Sequence, residues 1–540
     1  MSEAPHLPPT QRSGAAGNPL PWRKGRGGLT SSRDLGCPSD AVPGACHVTK
    51  IAILLWIFAV AVRLILIDQP YVDYWSWRQS DVAAIARNFF EHGFRFGYPQ
   101  IDWAGNSAGY VGTEFPILPF LAAICYKFAG IHEWIGRSQS VIFFAISLPF
   151  FFLLVRGIFG SSAATWATFF YAFAPLNVFA GRSFMPDMPS LSLGIIGLYF
   201  FLCWLGDGRP APLYLSAIAI SLSILIKATS VVIAAPLASI VVGRLCQPRR
   251  PSGFTVKRPA MYRGMAAFAA IAVLPSVAWY WHAHQIAEQY YPHHSFGAGG
   301  VRLESFSWYW EIAQQTATSS LTPLLALMAL TGLFVAPRGK YGCLFDWWLV
   351  AMVLFVVTVG YGNRHPWYQL PFVPIAAAFA GAACAFFGSK ISSRVAAVTL
   401  SILLAASFAI LAFFYVRPLY ESSAAQLRDA GLELNRITAP DALIVAADMG
   451  NPTIFYYANR KGWHFLEQRG IYGGTPKNSQ QAIADLERLH RQGATHLVFT
   501  ANTLWWLNSY PELTQHLSET ATLVEAAPQF RIYKLNSVAR

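Results

Sequence analysis

Charge is scarce in this sequence. Asp, Glu, Lys and Arg make up 12% of its 540 residues, against roughly 25% in ordinary soluble domains. That shortage, beside 54% hydrophobic and 15% aromatic residues, excludes a soluble globular protein, a wholly disordered chain and a collagen-like repeat. Cysteine is sparse too. The seven residues, at 37, 46, 125, 203, 246, 343 and 384, include no Cys-x-x-Cys spacing, so neither a zinc site nor a disulfide framework is indicated. Acids are fewer than bases, 27 against 40, for a net charge of +13. The Lys and Arg sit in short stretches between apolar runs, the pattern of topology signals in a multi-span membrane protein. Nucleic acid is therefore not an expected partner.

What is abundant is apolar sequence in long runs. A membrane-crossing helix needs about 20 predominantly apolar residues. Twelve stretches are candidates: near 51–67, 116–130, 138–155, 162–179, 188–205, 211–226, 229–243, 264–283, 320–336, 345–361, 369–388 and 395–416. Residues 1–50, rich in Pro, Gly and Ser with six Lys/Arg against three acids, read as a disordered basic tail. With no apolar stretch ahead of Ile51 and no cleavage site, Ile51 to Ile67 is expected to be a retained signal anchor. The most basic connector is Arg244 to Arg263, with six Lys/Arg and no acid. Arg156, Arg209, Arg338, Lys340, Lys390 and Arg394 mark the others. All fall on one side only if one early stretch does not cross. The stretch 116–130 is short, contains Pro116, Pro119 and Lys127, and is flanked by His132 and Glu133. It is expected to lie in the outer interface. Eleven spans remain, with the N-terminus cytoplasmic and the C-terminus outside. Of the thirteen acids between residues 51 and 416, only Asp207 and Asp346 then face inward.

From Arg417 the composition changes. Twelve Lys/Arg and eleven Asp/Glu fall in 124 residues. Helices expected at about 421–437 and 477–492 alternate with apolar runs such as Ala442 to Ala447 and His496 to Thr500, the pattern of a small α/β domain. The expected fold is thus a polytopic α-helical membrane protein of about eleven spans with a small C-terminal α/β domain. It divides into a tail (1–50), a transmembrane domain (51–416, first outer loop 68–137) and an extracytoplasmic domain (417–540). The last is expected to carry no catalytic residue.

The first outer loop holds Asp73, Trp77, Arg78, Gln79, Asp81, Asp102 and Glu114. Within it Val82, Ile85 and Phe89 fall at helical spacing, with Asn88 and Glu91 on other faces. That predicts an amphipathic helix resting on the membrane surface. Asp187, in Arg182-Ser-Phe-Met-Pro-Asp-Met-Pro, and Lys227 stand at outer ends of spans. Other outer segments carry His293-His294, then Arg302 and Glu304, and the turn Asn363-Arg364-His365-Pro-Trp-Tyr-Gln-Leu-Pro. Charged groups at membrane level are costly and mark function by default. Each also has a plainer reading: Lys227 snorkelling to the interface, Asp187 capping the following helix, the His pair solvated rather than metal-bound, Asp68 and Asp102 in turns.

Five segments carry a resemblance as a set: Trp77-Arg-Gln-Ser-Asp-Val-Ala-Ala-Ile-Ala-Arg-Asn-Phe-Phe, Gly109-Tyr-Val-Gly-Thr-Glu-Phe-Pro, His132-Glu-Trp-Ile-Gly-Arg, Phe184-Met-Pro-Asp and His365-Pro-Trp-Tyr-Gln-Leu-Pro. With the span pattern they make residues 51–416 similar to the GT-C class of integral-membrane glycosyltransferases. The likeness is greatest to bacterial transferases of the dolichyl-phosphate-mannose type. It implies a catalytic acid at the start of the first-loop helix, often in an Asp-Glu pair. Here that stretch reads Arg78-Gln79-Ser80-Asp81. Asp81 is the favoured acid; Asp73, in Val-Asp-Tyr-Trp, and Glu114 are the alternatives.

The resemblance also implies a sugar donor on a polyprenyl phosphate and an acceptor hydroxyl on a glycan, lipid or protein. It implies surrounding membrane lipids and a place in the bacterial inner membrane. The departing phosphate is already an anion and needs charge stabilisation. Arg78, Arg182, Lys227, Arg302 and His365 are candidates for it, with Gln79, Asp187 and Tyr368 in the same substrate-binding set. The acceptor hydroxyl needs a base, for which a carboxylate suffices. No cofactor is certain, and a divalent metal stays open. The rivals are a transporter or lipid flippase and a membrane sensor. Charges gathered at span ends rather than mid-membrane, with no internal repeat, speak against the transporter. A sensor leaves the first-loop acids unexplained.

Overall fold

The computed structural model describes residues 45–246, 258–295, 301–339 and 341–536. Most of the expected tail, residues 1–44, and the middle of the basic connector, 247–257, lie outside the described residues. Among the described residues six helices are long and apolar enough to cross a membrane: Glu133–Phe159, Asp187–Asp207, Met261–Gln289, Leu344–Gly362, Pro366–Gly388 and the run Arg394–Ile437, whose apolar part is Arg394–Val416. A seventh is the pair Phe306–Ser320 and Pro323–Val335, bent by 106°. The helix Ile117–Ala129 has 13 residues, which at about 1.5 Å per residue gives roughly 20 Å, short of the ~30 Å hydrocarbon core.

Several of the expected stretches are therefore not single long helices, and the breaks have identifiable causes. The stretch 162–179 splits into Ser161–Phe173 and Pro175–Ala180. Pro175 has no N–H to continue the ladder. The stretch 229–243 opens as the 3₁₀ segment Ala228–Ile233 before Ala234–Cys246. At the first break the side chain of Arg63, fully buried in the opening helix, donates to the carbonyl oxygens of Ala172 (2.9 Å) and Asn177 (3.1 Å). Its guanidinium lies 3.3 Å from the Phe144 ring centroid. Leaving such carbonyls unpaired in a buried site costs about 1–3 kcal/mol each, so Arg63 makes the break tolerable.

The C-terminal region has seven strands: β1 (Leu443–Ala447), β2 (Gly462–His464), β3 (Glu467–Gln468), β4 (Ile471–Tyr472), β5 (Ala494–Thr500), β6 (Ala521–Ala527) and β7 (Phe530–Leu535). Five form one sheet in the order β2-β1-β5-β7-β6; β1 runs parallel to β2 and β5, while β7 is antiparallel to β5 and β6. Alternate residues of a strand point to opposite faces. Val445, Ala447, Leu497 and Phe499 pack against the helices Ser479–Arg491 and Pro511–Thr520. Ile444, Ala446 and Val498 pack on the other face, in one core with Leu427, Leu434, Ile454 and Phe455.

That second core does not stop at the domain. It continues into Val72, Ile85, Phe89, Ile101 and Trp103 of the loop 68–137. The loop helix spans Ser76–His92 and is buried from Arg78 through Phe89. The amphipathic pattern correctly marks a helix, but its polar side is covered rather than solvated. Ser80 meets Thr453 at 3.0 Å, and Arg87 donates to the carbonyl oxygen of Tyr456. Backbone bonds from Gly462 N–H to Asp102 (3.0 Å) and from Gly105 N–H to Gly462 (2.6 Å) seal the outer edge of β2 against the loop. An unpaired edge strand is a liability; here the first loop occupies it.

Candidate active site

A cavity of about 780 Å³ lies where the loop helix, one end of the helical segments and the C-terminal domain meet. One wall carries Trp77, Arg78 and Asp81 from the loop helix with Glu114, Lys227, Arg364, His365 and Tyr368. The opposite wall comes from the C-terminal domain, with Asp448, Asn451, His464, Tyr472 and Asn502. Trp103 lies between them.

Charged partners run across the first wall as a chain. Lys227 Nζ is 2.5 Å from Asp187 Oδ1, and 4.4 Å from the Tyr368 ring centroid. Asp187 opens its helix without capping it; its partner is Lys227, not the backbone. Arg78 Nη2 is 2.8 Å from each oxygen of Glu114. Glu114 also accepts from Thr113 Oγ1 (3.0 Å), and Trp279 Nε1 donates to the Thr113 carbonyl oxygen (3.0 Å), tying this strip to the helix Arg258–Gln289. Burial opposes ionisation of Glu114, but Arg78 and Lys227 outweigh it and hold its carboxyl below the usual range.

Asp81 is different. It is 2% exposed. Among the described residues its one side-chain donor is the Trp103 indole N–H, at 2.9 Å. Burial pushes its carboxyl up to about 6, with Arg78 and the indole bond only partly offsetting it. A carboxylate near neutrality in a cavity is the state a general base requires.

Asp73, Gln79 and Arg182 do not line the cavity. Asp73 sits beneath the loop helix, fully buried. It accepts from Arg137 Nη2 (2.9 Å), Arg182 Nη2 (2.9 Å) and Gln79 Nε2 (2.6 Å). Gln79 returns its other end to the Phe184 N–H at 3.2 Å. Three sequence-distant segments, around Asp73 to Gln79, Arg137 and Arg182 to Phe184, are thus pinned together. Arg302 is also off the cavity, with its side chain 71% exposed and 3.1 Å from Glu304. His365 lines the wall as a ring stacked on Trp367, 4.4 Å between centroids and 4° between planes. Burial, helped by Arg364, Lys227 and Arg78, takes it down to about 4, so it is neutral near pH 7. His294 reaches the cavity too, 5.4 Å from Trp103 by ring centroids, and is likewise held down to about 4, chiefly by burial and then by Arg78. Asp102 pairs with Arg87 at 2.5 Å and with Asn88 at 2.9 Å, fixing the loop.

Sequence reasoning missed the second wall. Asp448 follows β1 directly, and both its oxygens lie 2.9 Å from His464 Nδ1 at the end of β2. Its Oδ1 also accepts from the Gly450 N–H at 2.9 Å. The one available signal is an apolar run ending in Asp-Met-Gly, a strand that stops in a turn. Arg364 was also passed over in favour of its neighbour His365. It faces the cavity with its guanidinium 3.9 Å from the Tyr361 ring centroid and has no ion pair among the described residues. A divalent metal on the first wall would have Asp81 and Glu114 as carboxylates, the second with both oxygens already against Arg78 Nη2. Among the described residues no three His, Cys, Asp or Glu converge on one point.

Residues 113–279 match the family model of dolichyl-phosphate-mannose-protein mannosyltransferases, a segment that includes Glu114, Asp187 and Lys227. No curated protein sequence matches the chain. Among solved structures, ArnT from Cupriavidus metallidurans in the apo state aligns over 90% of this chain and 98% of its own, at 15% identity and a TM-score of 0.62. The same protein bound to undecaprenyl phosphate gives 14% identity, the same coverage and a TM-score of 0.61. The archaeal oligosaccharyltransferase AglB from Archaeoglobus fulgidus, in complex with an inhibitory peptide and a dolichol-phosphate, aligns over 91% of this chain and 74% of its own, at 12% identity and a TM-score of 0.59. At these identities the likeness is one of fold, and it extends beyond residues 51–416 into the C-terminal domain. The chain has the fold of the GT-C class of membrane glycosyltransferases, the class its sequence resembles.

Proposed function

We propose that this protein transfers a sugar from a polyprenyl phosphate to an acceptor hydroxyl at the outer face of a bacterial inner membrane. The observation that carries this reading is Asp81: a buried carboxyl with one donor, pushed up to about 6, in a cavity whose membrane side holds Arg78, Lys227 and Arg364. The polyprenyl phosphates bound by two structural neighbours have the chemistry such a cavity would accept.

In the proposed reaction Asp81 takes the proton of the acceptor hydroxyl. The acceptor oxygen bonds to the anomeric carbon as the bond from that carbon to the phosphate oxygen breaks. Polyprenyl phosphate leaves with the electron pair, and attack opposite it inverts the anomeric centre. The leaving group needs no proton, only cations. Lys227 supplies them most readily: its ammonium has three donors, and Asp187 occupies one. Arg364 adds a guanidinium not tied to a carboxylate. Arg78, held by Glu114, orients that carboxylate beside the site. Tyr368 and His365 frame the phosphate with an aromatic rim. Asp73, Gln79 and Arg182 act beneath, by fixing the loop helix that presents Asp81.

In this reading the chain crosses the membrane eleven times, counting broken helices as crossings. The N-terminal tail (1–50) is cytoplasmic, the transmembrane domain is 51–416, and the domain 417–540 is periplasmic. The basic connectors support that orientation. The test is to incubate the purified protein with polyprenyl-phosphate mannose and polyprenyl-phosphate arabinose, plus envelope extract as acceptor, and follow release of polyprenyl phosphate. Release that depends on acceptor is expected from at least one donor. No release from any polyprenyl-phosphate sugar would sink the reading.

A further inference from the structure

The second wall of the cavity stands where a parallel sheet presents its ligand-binding edge. β2, β1 and β5 are mutually parallel neighbours, and each gives its carboxyl end to the cavity: His464 from β2, Asp448 just after β1, Asn502 just after β5. In open α/β sheets, ligands bind outside the carboxyl ends of the strands. We propose that this edge is the binding site for a neutral carbohydrate acceptor, with His464 as its main hydrogen-bonding group. The proposal rests on the transferase reading above and names the acceptor class for that same site.

Three observations support it. First, Asp448 takes the Nδ1 side of His464 at 2.9 Å. A histidine oriented through one nitrogen presents the other, which leaves Nε2 to meet a bound hydroxyl. Second, the edge mixes flat aromatic faces with uncharged polar groups. The His464 ring lies 5.2 Å from Trp103 and 6.4 Å from Tyr472 by centroids, and Asn502 and Gln426 complete the rim. Sugars offer hydroxyls at their edges and C–H faces to rings, so such a surface suits them. Among the described lining residues of this edge there is no Lys or Arg to draw an anionic acceptor, and its carboxylate, Asp448, is buried against His464. Third, the order across the cavity fits in-line transfer. Lys227 and Arg78, each paired with a carboxylate, form one end; Asp81 follows, then Trp103 donating to it, then His464 and Asp448. The acceptor oxygen must lie between base and anomeric carbon, opposite the phosphate. The body of the acceptor therefore falls on the His464 side of Asp81.

The experiment uses the full-length protein with polyprenyl-phosphate mannose or arabinose as donor. Methyl glycosides of mannose, glucose, galactose and arabinose serve as acceptors, and a serine- and threonine-containing peptide competes as the alternative. His464→Gln and Asn502→Ala should each raise the KM for the preferred glycoside about tenfold, the loss of one hydrogen bond. Donor affinity, read with polyprenyl phosphate as ligand, should stay unchanged. Asn502 is exposed, so its variant folds even if the His464 variant does not. Unchanged KM in both variants would overturn the proposal. So would a fall in donor affinity alone, which would make the edge a donor-sugar site, or saturation by the peptide where no glycoside binds. Binding of the same glycosides to donor-free protein, read by saturation-transfer NMR, separates the two claims. Glycoside binding that the His464 and Asn502 variants weaken, in a protein that turns over no donor, would keep the subsite and remove the transferase reading.

Discussion

Two buried carboxylates lie on either side of the start of the loop helix, and their surroundings could hardly differ more. Asp73 receives three donors, two of them guanidinium groups, and faces no cavity. Asp81 receives one neutral donor and opens on the cavity. A carboxylate that accepts from three side chains, two of them guanidinium groups, ties the segments carrying them together. One left partly unsatisfied in a buried site is pushed toward neutrality and can exchange a proton. In the proposed reading, the region beneath the helix is structural and the region above it carries the chemistry. Glu114 falls between: it faces the cavity, but both its oxygens lie against Arg78 Nη2 and it is held low, which makes it a weaker base than Asp81.

The sharpest way to break the comparison on its structural side is Asp73→Asn. Arg137 and Arg182 would stay buried with their counter-charge gone, and breaking a buried pair costs roughly 3–5 kcal/mol. A large fall in melting temperature is expected, with donor affinity in the folded fraction unchanged. A stable variant that no longer transfers would move the chemistry to Asp73.

Lys227→Ala comes next. Hydrogen bonds to charged groups contribute about 1.5–3 kcal/mol, so donor affinity should drop one to two decades, measured with polyprenyl phosphate itself as ligand. Arg364→Ala should weaken the same binding by up to about one decade without loss of stability, because its side chain has no ion pair among the described residues. Equal affinity in both variants would place the phosphate elsewhere.

The pH profile reads Asp81 directly. The base must be ionised, and burial sets its pKa near 6. The ratio kcat/KM should therefore be level above that value and fall about tenfold per unit below it. Trp103→Phe gives the smallest effect. Removing a donor to the ionised form raises a carboxyl pKa, so the acid limb should move upward by less than about one unit. A downward shift would mean that the indole does not hold the carboxylate.

Local pattern carried much of this architecture. Apolar runs at Ala442–Ala447 and His496–Thr500 became β1 and most of β5, and the helix expected at 477–492 is Ser479–Arg491. Asp81, Arg78, Glu114, Lys227, His365 and Tyr368, read from the sequence as site candidates, do meet at one cavity. What stayed hidden depends on contacts between distant parts of the chain. The loop helix looks amphipathic and exposed because its cover, Thr453 and Tyr456, comes hundreds of residues later. Asp448 and His464 look like ordinary surface residues until β1 and β2 pair and bring them together. The domain 417–540 was expected to carry no catalytic residue; it forms one wall of the cavity. The breaks at Pro175 and between Ser320 and Pro323 each carry a proline that was legible in the sequence.

The central claim is that Asp81 is the base of a transfer from a polyprenyl-phosphate sugar. Single-turnover release of polyprenyl phosphate should be compared between the unaltered protein and Asp81→Asn, under saturating donor and with the melting temperature of each recorded. The account predicts a rate loss of roughly 10²–10⁴-fold with folding and donor affinity retained. A rate within a few-fold of the unaltered protein would contradict it and pass the role to Glu114.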